Sequence, residues 1–431
     1  MNDRYRSAFA SFALSLGLCL TNVSLSDEGP QTDHTPFPEP ASIKGLQVQM
    51  VDDAIALGIH HAGINFAINM LYAKPDAPNG LDWTSEGKHY RFNPSYVEAL
   101  DRQIKPLSDA GIVVYAILIA YPTGVPEIDQ VVIHPDADSD RKYTVGAFNI
   151  KTPEGREWLQ AALEFLAHRY SRGDTEHGRV WGWIIGNEVN SHFMWHNRGP
   201  CSLEDLADGY EHMVRIAHNA IRTVSDNARI YLSFDHYWTV SHLPGEPLKS
   251  VPGRSLLEAF AAVAKLRGDF EWHVAWHPYH SNLFATDLWE DQQAPEIEDA
   301  PKVTFRNLSV LASRLEKPDM HWQGKPRRII LSEQGFHSDG SKEGGMKQAA
   351  AFAYAWTQAN RIPNIDAFIY HRHVDHAHEG GLNLGLWTKQ PGTISNPGDK
   401  KPIYDLFLKA ATDQWNQAAD AYLPTAGRTT W

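Results

Sequence analysis

Between Arg179 and Asn190 the chain reads Arg-Val-Trp-Gly-Trp-Ile-Ile-Gly-Asn-Glu-Val-Asn. Val180 to Ile185 is apolar without alternation, the pattern of a strand buried on both faces. The run stops at Gly186, Asn187 and Glu188, so a rigid strand ends in an amide and a carboxylate. Arg327 to Gly335, Arg-Arg-Ile-Ile-Leu-Ser-Glu-Gln-Gly, repeats the design and ends in Glu333. Two carboxylates at the same end of two parallel strands would face each other across one mouth. That places Glu188 and Glu333 as candidate acid and nucleophile of a glycosidase.

The rest of the chain alternates in the same way. Candidate strands are Ile43–Val48, Ala62–Met70, Ile112–Ala120, Val180–Ile185, Arg229–Phe234, Phe270–Trp276, Arg327–Gly335 and Ile365–Tyr370. The first is weak, because Lys44 and Gly45 interrupt it. Helical stretches are read from Met50 to Leu57, Pro94 to about Ala110, Pro153 to about Ser171, Leu203 to Ser225, Ser255 to Leu266, Val303 to Leu315, Gly345 to Asn360, and Ile403 to about Ala419. Thr152-Pro153-Glu154 and Ser202-Leu203-Glu204-Asp205 carry the cap, proline and acid that start helices. Strand then helix, eight times, is the pattern of an α/β fold, a (β/α)8 barrel. No Gly-x-Gly-x-x-Gly turn follows an early strand, which disfavours an open dinucleotide-binding sheet, and no repeat of solenoid period is visible.

At the amino terminus, Arg4 and Arg6 precede the apolar run Ala8 to Leu20 and then polar residues, the order of a secretory signal peptide cleaved near Ser26. The expected location is secreted or periplasmic. Leu18 is bulky for a lipoprotein signal, so a lipid anchor on Cys19 is not expected. With Cys19 removed, Cys201 stands alone, and the exported domain has no internal disulfide. Asp27 to Pro40 reads as a flexible leader, and the catalytic barrel as residues 41–431. A net charge of −13 disfavours nucleic acid and anionic membrane surfaces as partners. The expected partner is a carbohydrate.

Asn187-Glu188 at the end of the fourth strand and Glu333 at the end of the seventh resemble clan A of the glycoside hydrolases. The resemblance implies Glu188 as acid/base and Glu333 as nucleophile, with retention and no cofactor. It also implies Asn187 on a sugar 2-hydroxyl, and His277 or Tyr279 orienting Glu333. The words Gly186-Asn187-Glu188-Val189-Asn190, Tyr370-His371-Arg372-His373-Val374-Asp375-His376 and Gly381-Leu382-Asn383-Leu384-Gly385-Leu386-Trp387 resemble, more closely, a bacterial domain family of unknown function.

Other strand-end residues are candidates for sugar contact: Asn65, His236, His371 and His373 by hydrogen bonding, Trp238 and Trp387 by stacking. Trp195, Trp276 and Trp289 are further stacking candidates, whereas Trp181 and Trp183 lie inside a strand and belong to the core. His371, His373, Asp375, His376, His378 and Glu379 offer six potential ligands in nine residues, which sets a metal-dependent hydrolase beside the glycosidase. A carbohydrate-binding barrel without turnover is the non-enzymatic alternative. The loops Tyr121–Lys151 and Ser281–Pro301 are too long to be mere connectors.

Overall fold

Eight strands hydrogen-bond in sequence order and close on themselves: β1 (Lys44–Gln47), β2 (His61–Ala67), β3 (Val113–Ile119), β4 (Val180–Ile185), β5 (Arg229–Phe234), β6 (His273–Trp276), β7 (Ile329–Gln334) and β8 (Ile365–Tyr370). This computed structural model describes residues 32–141 and 145–431. The expected signal peptide and Cys19 lie outside the described residues. Every barrel pairing is parallel, and the last seam sets Lys44 of β1 opposite Phe368 of β8. A helix follows each strand: α1 (Val51–Ala56), α2 (Pro94–Asp109), α3 (Pro153–Tyr170), α4 (Leu203–Arg222), α5 (Gly253–Leu266), α6 (Leu308–Leu315), α7 (Lys342–Ala359) and α8 (Pro402–Lys409). The chain is a (β/α)8 barrel. Among the described residues no helix is long and apolar enough to cross a membrane.

Strand alternation divides the core into two layers. Tyr115, Ile117, Trp181, Tyr231, Ile330 and Ile369 fill the barrel interior. Val114, Leu118, Trp183, Ile230 and Leu331 point outward and pack beneath the helices. Both faces are covered, hence the unbroken apolar runs in the sequence. The expected caps form: Thr152 Oγ1 accepts from the Gly155 N–H at 3.1 Å and Ser202 Oγ from the Asp205 N–H at 3.1 Å.

Three boundaries differ from expectation, each for a local reason. β1 is a true strand because Lys44 is satisfied inside: its ammonium donates to the carbonyls of Leu57, at 2.6 Å, and Leu408, at 3.1 Å. Burial lowers its pKa to about 8. The second strand stops at Ala67, and Ile68–Leu71 is a 3-10 turn. The last helix breaks after Lys409, where Ala411 takes φ +65°, and restarts as Trp415–Asp420, which sets Trp415 against Phe352 and Trp356.

The expected flexible leader is described from Thr32, and it is tied to the barrel. The Asp33 N–H donates to the Val224 carbonyl at 2.9 Å, and its carboxylate pairs with Arg179, which is buried. Phe37 meets the edge of Trp181 at 5.8 Å between centroids, under the guanidinium of Arg229. Composition hid this, because one ion pair and one ring do the anchoring. Asp33→Ala leaves the Arg179 charge buried without its partner. It is expected to cost about 2 kcal/mol in denaturant unfolding, less than a fully enclosed pair because Asp33 lies near solvent.

Candidate active site

The loop after β4 is held from three sides. The hydroxyl of Tyr210, on α4, donates to the Ile185 carbonyl at 2.8 Å and accepts the Ser233 N–H at 2.8 Å, locking the ends of β4 and β5 together. Asn190 and Ser191 both donate to the buried carboxylate of Asp235, and the Asp235 N–H returns to Asn190 at 3.0 Å. Gly186 has φ +78°, and a Cβ there would lie 2.9 Å from the His196 ring. Within this frame Glu188 adopts the left-handed region, φ 45° and ψ 51°, and its N–H donates to Ser233 Oγ at 3.0 Å. Such a conformation is uncommon for a residue with a side chain and persists because the surroundings fix it.

Glu333 reaches the same mouth by a different device. Between β7 and β8 the register slips, Leu331 to Gln334 spanning three residues against two from Phe368 to Tyr370. This bulge lets the consecutive side chains Ser332 and Glu333 both meet residues that follow β6. The Tyr279 hydroxyl donates to Glu333 Oε1 at 3.2 Å. His277 Nδ1 lies 2.9 Å from Glu188 Oε1, and its Nε2 lies 3.0 Å from Ser332 Oγ. Of the two residues expected to orient Glu333, Tyr279 does so and His277 serves Glu188 instead. One oxygen of Glu188, one of Glu333 and one His277 nitrogen all fall within 4.8 Å of one another. Both His277 nitrogens already have protein partners, so this trio is an acid/base arrangement rather than a free ligand set.

Close approach also fixes Gly335. An added Cβ would sit 1.9 Å from the His371 carbonyl oxygen, a backbone atom that cannot yield without moving the β8 loop. Gly335→Ala is expected to destabilise the fold by about 2 kcal/mol or more, read as a lower denaturation midpoint at unchanged slope.

The two carboxyl groups differ electrically. Burial, at 8% residual exposure, pushes the pKa of Glu188 up to about 7, against the His277 contact that pulls it down. His277 is raised as well: burial opposes its charge, but the neighbouring Glu333 and Glu188 outweigh it. Glu333 is half-buried. Two carboxyls in unlike surroundings can divide acid and nucleophile roles between them.

Other expected contacts fall into two groups. Asn187 is half-buried beside Glu188 and makes no hydrogen bond among the described residues. Asn65 is exposed on β2 and accepts from Gln47 at 2.9 Å; Gln47 in turn meets His371 Nδ1. These residues stay at the mouth. Trp238 does not: it is fully buried, its indole N–H bonded to the Glu298 carbonyl at 3.0 Å and its ring edge-on to Trp276. His236 stacks on Tyr237, with both ring nitrogens buried and unpartnered, so neither is open to a sugar. His373 and Trp387 are both taken by Asp53 of α1, at 2.8 and 3.0 Å, and clamp the β8 loop from behind. Trp276 is core, Trp289 packs against Tyr354, and Trp195 is exposed.

The histidine-rich loop does not gather its ligands. His371 meets Gln47 and Glu379, His373 meets Asp53, Asp375 pairs with Lys401 at 2.6 Å, and His376 packs edge-on to His378. Three neighbours escaped sequence reasoning as parts of the site: Tyr121, just beyond β3, and Arg372 and Glu379 of the β8 loop. Burial raises the Tyr121 pKa, with Glu333, Arg372 and Glu379 all close enough to act on its phenol. The only signal for Tyr121 is its place at a strand end. A separate cavity of about 1340 Å³ lies at the opposite end of the barrel, lined by Phe37, His61, Arg229, Arg328, Asp366 and Trp415, away from both carboxylates.

The fold recurs in solved glycosidases. A family 39 glycoside hydrolase from Bacteroides cellulosilyticus WH2 aligns with a TM-score of 0.52 at 16% identity, over 89% of this chain and 66% of that one. The β-glucosidase of Pyrococcus furiosus gives 0.51 at 13%, over 87% and 86%. The β-glycosidase of Thermosphaera aggregans gives 0.51 at 13%, over 85% and 86%. At such identities the likeness is one of fold, and the chain spans just under two thirds of the Bacteroides enzyme. No curated protein matches the sequence. The profile of a family of unknown function, DUF5722, matches residues 36–431, and the chain belongs to that family.

Proposed function

We propose that this protein is a glycoside hydrolase that acts with retention, Glu188 as acid/base and Glu333 as nucleophile. The approach of the two carboxylates, oxygen to oxygen within 4.8 Å, carries the reading. Retaining glycosidases hold this pair about 5–5.5 Å apart, whereas inverting enzymes need about 6.5–9.5 Å to admit a water. Glu188, raised by burial, gives its proton to the leaving oxygen while Glu333 attacks the anomeric carbon. The glycosyl-enzyme ester is then opened by water that Glu188 deprotonates. Tyr279 holds the nucleophile in line, and the unpartnered amide of Asn187 supports contact with the sugar 2-hydroxyl.

The test is a panel of aryl glycosides and oligosaccharides, with the first-formed anomer followed by proton NMR. Hydrolysis with the anomeric configuration kept is expected, and it should be insensitive to chelator. Product of inverted configuration would overturn retention. Sugar binding without any hydrolysis would make the protein a carbohydrate-binding barrel. The amino-terminal pattern supports export to a secreted or periplasmic location; the first residue of the mature protein, read by Edman degradation, checks it.

A further inference from the structure

The wall beside Glu333 carries a third carboxylate that the reaction above does not use. Glu379 sits in the loop after β8, with His371 Nε2 3.2 Å from one oxygen and Arg372 on the other. Its side chain keeps about a quarter of its surface open, 23%. The chain of contacts continues from His371 to Gln47 at the end of β1 and on to Asn65 of β2. Tyr121 and Tyr279 stand close enough to feel both Glu379 and Glu333, which puts Glu379 on the nucleophile's side of the mouth. Burial disfavours its charge, but His371 and Arg372 more than compensate and bring its pKa down to about 2.

Resting on the glycosidase reading, we infer that Glu379 makes the glycone subsite selective for an uncharged sugar, accepting hydrogen bonds from its hydroxyls and turning away uronate and sulfated rings. An ionised carboxylate is an acceptor only, so it pairs with hydroxyl donors and repels a substrate anion. The cation that could receive such an anion, Arg372, is already neutralised by Glu379. Lys302, farther round the mouth, lies over the Tyr237 ring with Asp291 and Asp235 near it. Gln47 and Asn65 extend the wall with neutral amides, which suit vicinal hydroxyls.

The experiment compares kcat/KM for p-nitrophenyl glucoside, galactoside, mannoside and xyloside with that for p-nitrophenyl glucuronide, in the wild type and in Glu379→Gln. Binding of neutral and uronate oligosaccharides to Glu188→Gln is measured alongside. The expected wild-type preference is at least 100-fold, on the order of a buried charge left facing its like, for the best neutral glycoside. Glu379→Gln removes the repulsion and frees Arg372, so the glucuronide-to-neutral ratio should rise by about 10-fold or more. A structural role alone would lower both rates together and leave the ratio unchanged, which overturns the inference. A wild type that prefers the glucuronide overturns it too while leaving the glycosidase reading intact. No cleavage and no binding of either class would bring down the glycosidase reading, and this inference with it.

Discussion

Glu333→Gln is expected to reduce kcat by on the order of 10⁴-fold, the scale of losing a group that acts within a catalytic unit. Glutamine has the same shape and can still accept the Tyr279 hydrogen bond, so folding and substrate binding should persist. What disappears is the oxygen that attacks the anomeric carbon. A 2-fluoro glycoside with a good leaving group should form a stable ester on Glu333 of the wild type, located by peptide mass spectrometry. Turnover near the wild-type rate in Glu333→Gln would remove the residue from the mechanism.

The second large effect belongs to Glu188 and is read against pH. Its carboxyl must be protonated to act, and its pKa is raised to about 7. The rate kcat/KM should therefore fall with unit slope as pH rises through about 7, a limb that reports the free enzyme. In Glu188→Gln this limb should vanish. Substrates with poor leaving groups should lose about 10²–10⁴-fold, the usual worth of a general acid, and activated aryl glycosides far less. Stability carries the same signature. Between the ordinary carboxyl pKa of 4.5 and about 7, the folded chain keeps a proton at Glu188 that the unfolded chain has released. Stability thus declines as pH rises across that window, and His277, also raised, adds to the decline. Thermal midpoints from pH 4 to 8 for the wild type and Glu188→Gln check the sign. A midpoint that climbs with pH through this window would mean that Glu188 is not held protonated.

How much of this can be read from the chain depends on range. Strands buried on both faces announce themselves as apolar runs, and a residue that ends such a run is placed by it, so Glu188, Glu333 and Tyr279 were legible. Past a strand end the parity no longer holds. Trp238, four residues after Phe234, turns inward onto Trp276 and contributes packing. His373 and Trp387 read as mouth residues because nothing local reveals Asp53, which lies 320 residues from the first and 334 from the second. The same range hid the wall beside Glu333, where Gln47 and His371 meet across 324 residues. The leader failed for the opposite reason: composition averages over a stretch, whereas Asp33 and Phe37 anchor it singly.

The seam between β1 and β8 sets a clock on biosynthesis. Lys44 meets Phe368 only when nearly the whole chain has been made. At about 5–20 residues per second, β1 waits roughly 15–60 s with one hydrogen-bonding edge unsatisfied. An open edge invites pairing with other chains, and a lysine on a very short strand is a known deterrent. β1 has four residues, and Lys44 is its first. The ammonium that is expensive to enclose in the closed barrel is thus the group that keeps the nascent edge from finding the wrong neighbour.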